Sequence, residues 1–260
     1  MMKVSPVQTP QTPRFQEKRE AILAAAARSF NQQGVKAATL AGIAGSVGLV
    51  TNSVTYYYRK KEDLASACYL RSIEAFDALA VAAVAEAGVP ARVRAFFRLQ
   101  AQCMADIEEG RRAPIVSFND IRALPGAQAQ TVFSAYTAMF RRVRALLQSE
   151  QTAQLARDDL NARAHMLLSI ANGAPAWIGR YEPADYHRAA DRVSELLVHG
   201  MAGPGSTWQA TPDELAWRLA DGAGTSEAFL RAATVLVNEH GYRGASVDKI
   251  SARLNVTKGS

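Results

Sequence analysis

A chain of 260 residues, 48% of them hydrophobic, is long enough for a large core and for more than one domain. Only Cys68 and Cys103 are present and the four histidines are scattered, so neither a disulfide framework nor a metal site is expected, and reduced thiols in a cytoplasmic protein are the reading. The net charge of +6 suits a polyanionic partner, and no run of about 18 apolar residues exists that would span a membrane.

Alanine is abundant, aromatics make up 8%, and Val, Ile and Thr rarely alternate, which predicts an all-α protein. Residues 1–14, with three prolines and no apolar core of a secretion signal, read as a disordered arm. A first helix is expected from Phe15 to Gln33, with Ile22, Leu23, Ala26 and Phe30 on one stripe and Gly34 closing it. Thr39 can cap a second helix through Ile43, Ala44 and Val47, Gly48 makes a tight turn, and a third helix runs from Thr51 to Tyr58. Lys60, Lys61 and Glu62 open a longer fourth helix. The expected domains are therefore a three-helix helix-turn-helix unit over 15–64 and a helical bundle over 65–202. Within the bundle, Pro90 starts a helix to about Glu109, and Pro125-Gly126 breaks the chain before a helix from Gln128 to Gln148. Two more helices are expected at 159–178 and 183–201, and a linker at 203–224.

The segment 20–53 recurs at 227–260, with ten positions identical, among them Asn31, Gly34, Ala38 and Ile43. One small module is thus used twice, the second copy occupying 225–260 and stopping after one turn of its third helix. A single turn does not offset the cost of helix nucleation, so this incomplete second helix-turn-helix reads as a frayed remnant, and the chain as a piece of a longer tandem regulator.

The basic excess is concentrated in the first module, at Arg14, Lys18, Arg19, Arg28, Lys36, Arg59, Lys60 and Lys61. Its third helix divides cleanly, with Val54 and Tyr58 facing inward and Thr51, Asn52, Thr55 and Tyr56 facing out. Asn can bond adenine bidentately, and Thr offers a hydroxyl and a methyl to a base edge in the major groove. Thr39, Thr51, Asn52, Ser53, Thr55, Tyr56, Tyr57, Lys60 and Lys61 are the candidate DNA contacts, with Tyr57 and Lys61 on phosphates.

The run Leu40, Ile43, Ala44, Gly48, Leu49, Val54, Tyr58, Lys61, Glu62 and Leu64 strongly resembles the TetR (tetracycline-repressor-like) family of bacterial transcription regulators. The resemblance implies a repressor binding double-stranded operator DNA, with a helical ligand-binding and dimerisation domain behind the reading module. It further implies a homodimer through the helices near 159–178 and 183–201, and hence a palindromic operator. The family usually has Ser or Thr where Val50 stands, Gly at Asn52, Tyr at Thr55 and Phe at Tyr58, so the Tyr58 hydroxyl needs a partner or an exit to water.

An apolar small-molecule effector is the expected ligand, in a pocket lined by Phe97, Met104, Phe118, Phe133, Tyr136, Phe140, Met166 and Trp177. No catalytic motif, cofactor or metal spacing is found, so an enzyme is not expected. The alternative reading is a helical ligand- or protein-binding module that has lost DNA recognition.

Overall fold

The computed structural model describes residues 12–200, 225–240 and 244–256, and every regular element among them is helical. The chain divides into two compact units, residues 1–201 and 202–260. In the first, α1 spans Pro13–Ala37, α2 Leu40–Gly45, α3 Thr51–Tyr57, α4 Lys61–Ala83, α5 Val89–Glu108, α6 Gly126–Ala145, α7 Arg157–Gly173 and α8 Tyr186–His199. The second contains α9, Thr225–His240, and α10, Val247–Leu254.

The first helix begins two residues earlier than its apolar stripe indicates. Thr12 accepts a hydrogen bond from the Phe15 amide at 3.3 Å, and Pro13 stands at the first helical position, where its missing N–H costs nothing. Gly34 does end the regular helix, at φ 77° and ψ 159°, and one further turn follows it. The buried face of α1 (Ile22, Leu23, Ala26 and Phe30) meets Leu64, Cys68 and Tyr69 of α4. The expected domain boundary at 64–65 therefore falls inside α4, which is continuous because its first turns complete the reading module's core while its later turns enter the bundle.

In the bundle, Phe76 and Phe96 meet at 6.5 Å and Phe118 packs against both Phe76 and Tyr136, at 5.6 and 5.3 Å. A short 3-10 segment, Phe118–Ala123, lies between α5 and α6. α8 lies on α5, burying Tyr186, Ala190 and Ser194, with Arg98 bidentate to Asp191 at 2.6 and 2.8 Å and Arg94 paired with Glu195. Cys68 and Cys103 are buried free thiols; burial pushes the Cys68 thiol up to about 12 and Cys103 upward too, so both stay protonated.

The repeat is visible in the second unit. Ser246, equivalent to Thr39, caps α10 through the Lys249 amide, as Thr39 caps α2 through the Gly42 amide at 3.1 Å. Asn255, equivalent to Gly48, takes the same left-handed conformation, φ 53° against 65°. The start of the second copy's third helix, Thr257 to Ser260, and both the 1–11 arm and the 203–224 linker lie outside the described residues.

Candidate nucleic-acid interface and effector cavity

The third helix is presented by the turn before it. α2 ends at Gly45, Gly48 turns the chain with positive φ, and Leu49 returns its amide to the Ala44 carbonyl at 2.9 Å. Val54 is fully buried and Tyr58 nearly so, which fixes the rotation of α3 about its axis. Thr51 and Asn52 are then exposed, Ser53 and Thr55 half-buried, and Tyr56 75% exposed. The Thr55 hydroxyl donates to the Asn52 carbonyl at 3.1 Å, so its donor is already used within the helix. Val50, 70% exposed, precedes α3 and supplies no side-chain cap, so the helix starts without a hydroxyl cap.

An aromatic cluster ties α3 to the start of α1: Phe15 lies 4.7 Å from Tyr57 and 6.2 Å from Tyr56. Tyr57 is consequently half-buried packing, and Arg14 and Lys18 are carried to the edge beside the carboxyl end of α3. Arg59 and Lys60 stand exposed at that same end, with no ion pair among the described residues. Lys61 behaves differently from its expected phosphate role. Its ammonium donates to the carbonyls of Lys36 and Ala38, both at 2.9 Å, and so satisfies the otherwise open end of α1.

The Tyr58 hydroxyl is buried with no hydrogen-bond partner among the described residues, and desolvation raises its pKa. Tyr58→Phe is expected to leave the fold intact and raise its stability by about 1 kcal/mol, measured by urea unfolding, because the unpaired hydroxyl is a net cost.

Behind the module, a cavity of about 620 Å³ opens between α4, α5, the 115–119 segment and the end of α7. Of the eight expected lining residues only Met104 is on its wall. Phe97, Phe118 and Tyr136 fill the core edge to face; Phe140 packs against His165 at 4.4 Å; Phe133 and Met166 are exposed, and Trp177 packs on the core's margin. Large rings fill volume and therefore close space rather than leave it. The cavity survives where side chains are short, at Ala75, Ala171, Gly173 and Ala176, a feature the small-residue run NGAPA at 172–176 could have signalled.

One wall of this cavity belongs to the reading module. Asn31 of α1 donates to the Ile115 carbonyl at 2.9 Å and accepts from the Ser117 amide at 3.0 Å. Asp120 accepts from the Val35 amide at 3.2 Å, directly after Gly34. On the other side, Arg71 and Ser72 of α4 hold Pro114 and Val116 at 2.6 and 2.8 Å.

Residues 22–68 match the sequence model of the family "Bacterial regulatory proteins, tetR family". Residues 22–68 thus form a module of the TetR type. The TetR-type fold is found in a TetR-family transcriptional regulator from Bordetella parapertussis 12822, 19% identical, with a TM-score of 0.60 over 72% of this chain and 96% of that one. AibR, solved with isovaleryl coenzyme A and operator DNA, is 17% identical at a TM-score of 0.52, covering 69% of this chain and 97% of its own. FadR from Bacillus subtilis, solved with stearoyl-CoA, is 16% identical at 0.50, covering 70% and 98%. No curated protein matches this sequence significantly. No described helix of it is long and apolar enough to cross a membrane.

Proposed function

We propose that the protein is a ligand-responsive transcriptional repressor that acts as a homodimer and reads a palindromic operator with α3. The observation that carries this reading is the outward face of α3, where Thr51, Asn52 and Tyr56 stand in solvent behind a buried Val54, flanked by the exposed cations Arg14, Lys18, Arg59 and Lys60. AibR, of like fold, binds operator DNA, which supports the same use here. Thr39 is the α2 cap in this account; capping uses one of its oxygen lone pairs and leaves the hydroxyl hydrogen to donate to a DNA phosphate.

For the dimer, α7 and α8 are the helices proposed. Their inward faces are used up by the bundle, while Met166 and Leu196 are 60% and 47% exposed. Two reading helices set about 34–36 Å apart by such a pairing meet successive major grooves on one side of the duplex. Ligand response is proposed to run through the 115–120 segment, because it forms a cavity wall and is bonded to α1 by Asn31 and Asp120.

The test is fluorescence anisotropy with the DNA upstream of the protein's own gene. Saturable binding, tightened by two-fold symmetric sites, is the expected result; only weak binding indifferent to sequence would leave the alternative of a module without DNA recognition. The two lysines are expected to separate in the same assay. Lys60→Ala should lower the slope of log affinity against log salt by about one phosphate contact. Lys61→Ala should leave that slope unchanged and cost about 1–2 kcal/mol of folding stability through its two lost carbonyl bonds.

A further inference from the structure

The wall of the cavity carries no Asp, Glu, Lys, Arg or His among the described residues. Its one titratable group, the Cys103 thiol, is held neutral by burial. The wall is exposed at Asn119 and Ser169 and buried at Gln100, Cys103 and Ala171; an ionised ligand group carried to the buried part would lose its water and find no counter-charge, which is the costliest combination in a protein interior. What the wall offers instead is a set of neutral groups that both donate and accept. Gln100 is spent on the Ala171 carbonyl at 2.6 Å, but Asn119, Ser169 and Asn172 have no side-chain hydrogen bond among the described residues. Opposite them lie Phe76, Leu79, Met104 and Val116.

We propose that the cavity takes an uncharged molecule with an apolar body and a carbonyl, amide or hydroxyl group, and rejects the corresponding acids and amines. The apolar body lies against Phe76, Leu79 and Met104, and the polar group bonds to Asn172, half-buried at the end of α7. Asn31 stands in the same wall, so a seated ligand lies against the bond pair that fixes α1 to the bundle. The inference rests on the ligand-responsive part of the function proposed above and deepens it by naming the class of effector.

The test uses the full chain without DNA, near neutral pH, titrated with decanamide, decan-1-ol, decanoate and decylammonium while calorimetric heat and thermal unfolding are followed. The two neutral probes are expected to bind about tenfold or more tightly than either ion, and to raise the unfolding midpoint. Ser169→Trp, which places bulk at the exposed rim of the cavity, should weaken the heat. Asn172→Leu, a milder change, should weaken decanamide about tenfold. Equal or tighter binding of either ion, or no binding of either neutral probe, overturns the proposal. A protein that makes this distinction yet fails to bind DNA keeps the effector class and loses the repressor function. One that binds its operator and prefers decanoate does the reverse.

Discussion

Asn52→Ala is expected to weaken specific DNA binding by about 1–3 kcal/mol at each half-site, or roughly 5- to 150-fold, and to erase discrimination at one base pair. Asn52 is exposed and its side chain has no partner among the described residues, so both its donor and its acceptor are available to a base edge. For the same reason the folded state should not notice the loss, and the unfolding midpoint should stay within about 0.5 kcal/mol of the parent. Anisotropy against an operator series carrying single base changes measures both quantities. A variant that keeps the full base preference would show that another element reads the sequence. Thr55→Val should do far less, because its hydroxyl is already bonded inside α3 and only its methyl is left for a thymine.

Gly34→Ala is expected to cost about 3–5 kcal/mol of stability. Two effects add. The φ of 77° with ψ of 159° belongs to a region that only glycine occupies without strain, which accounts for about 1–3 kcal/mol. A Cβ there would also stand 2.5 Å from Asp120 Oδ2, so the carboxylate must leave the Val35 amide it caps. The unfolding midpoint should fall by about 8–15 °C for a unit of this size. Asp120→Ala removes the bond without the overlap, and the double variant should therefore cost less than the two single changes summed. Full additivity would mean that Gly34 and Asp120 act independently.

These two residues also mark how far the sequence can be read. Gly34 was legible as the end of α1, because an apolar stripe stops at it and glycine tolerates the left-handed turn. That a carboxylate 86 positions later sits against it was not, since nothing local to Asp120 distinguishes it from any acidic residue in a turn. The exposed face of α3 was legible for the same reason as the helix end: a 3.6-residue period with Val54 and Tyr58 inward leaves Asn52 and Tyr56 outward. The role of Lys61 was not legible. A lysine at a helix start looks like a phosphate ligand until the end of α1, 25 residues earlier, is placed beside it with two open carbonyls.

The cavity divides in a similar way. Aromatic residues spaced along α5 and α6 announce a core, and they do form it, but spacing cannot say whether a ring lines a space or fills it. Phe97, Phe118 and Tyr136 fill theirs, Phe133 and Met166 face out, and the empty volume appears where Ala, Gly and amide side chains from four separate segments converge. Local pattern thus specifies helices, caps, turns and the exposed side of α3, because each depends on residues within a turn or two of one another. Where Lys61 and Asp120 find their partners, which rings close the core and what chemistry the cavity wall presents depend on groups brought together from distant parts of the chain. Only the packing of the helices sets those distances, and with them the uncharged lining of the cavity.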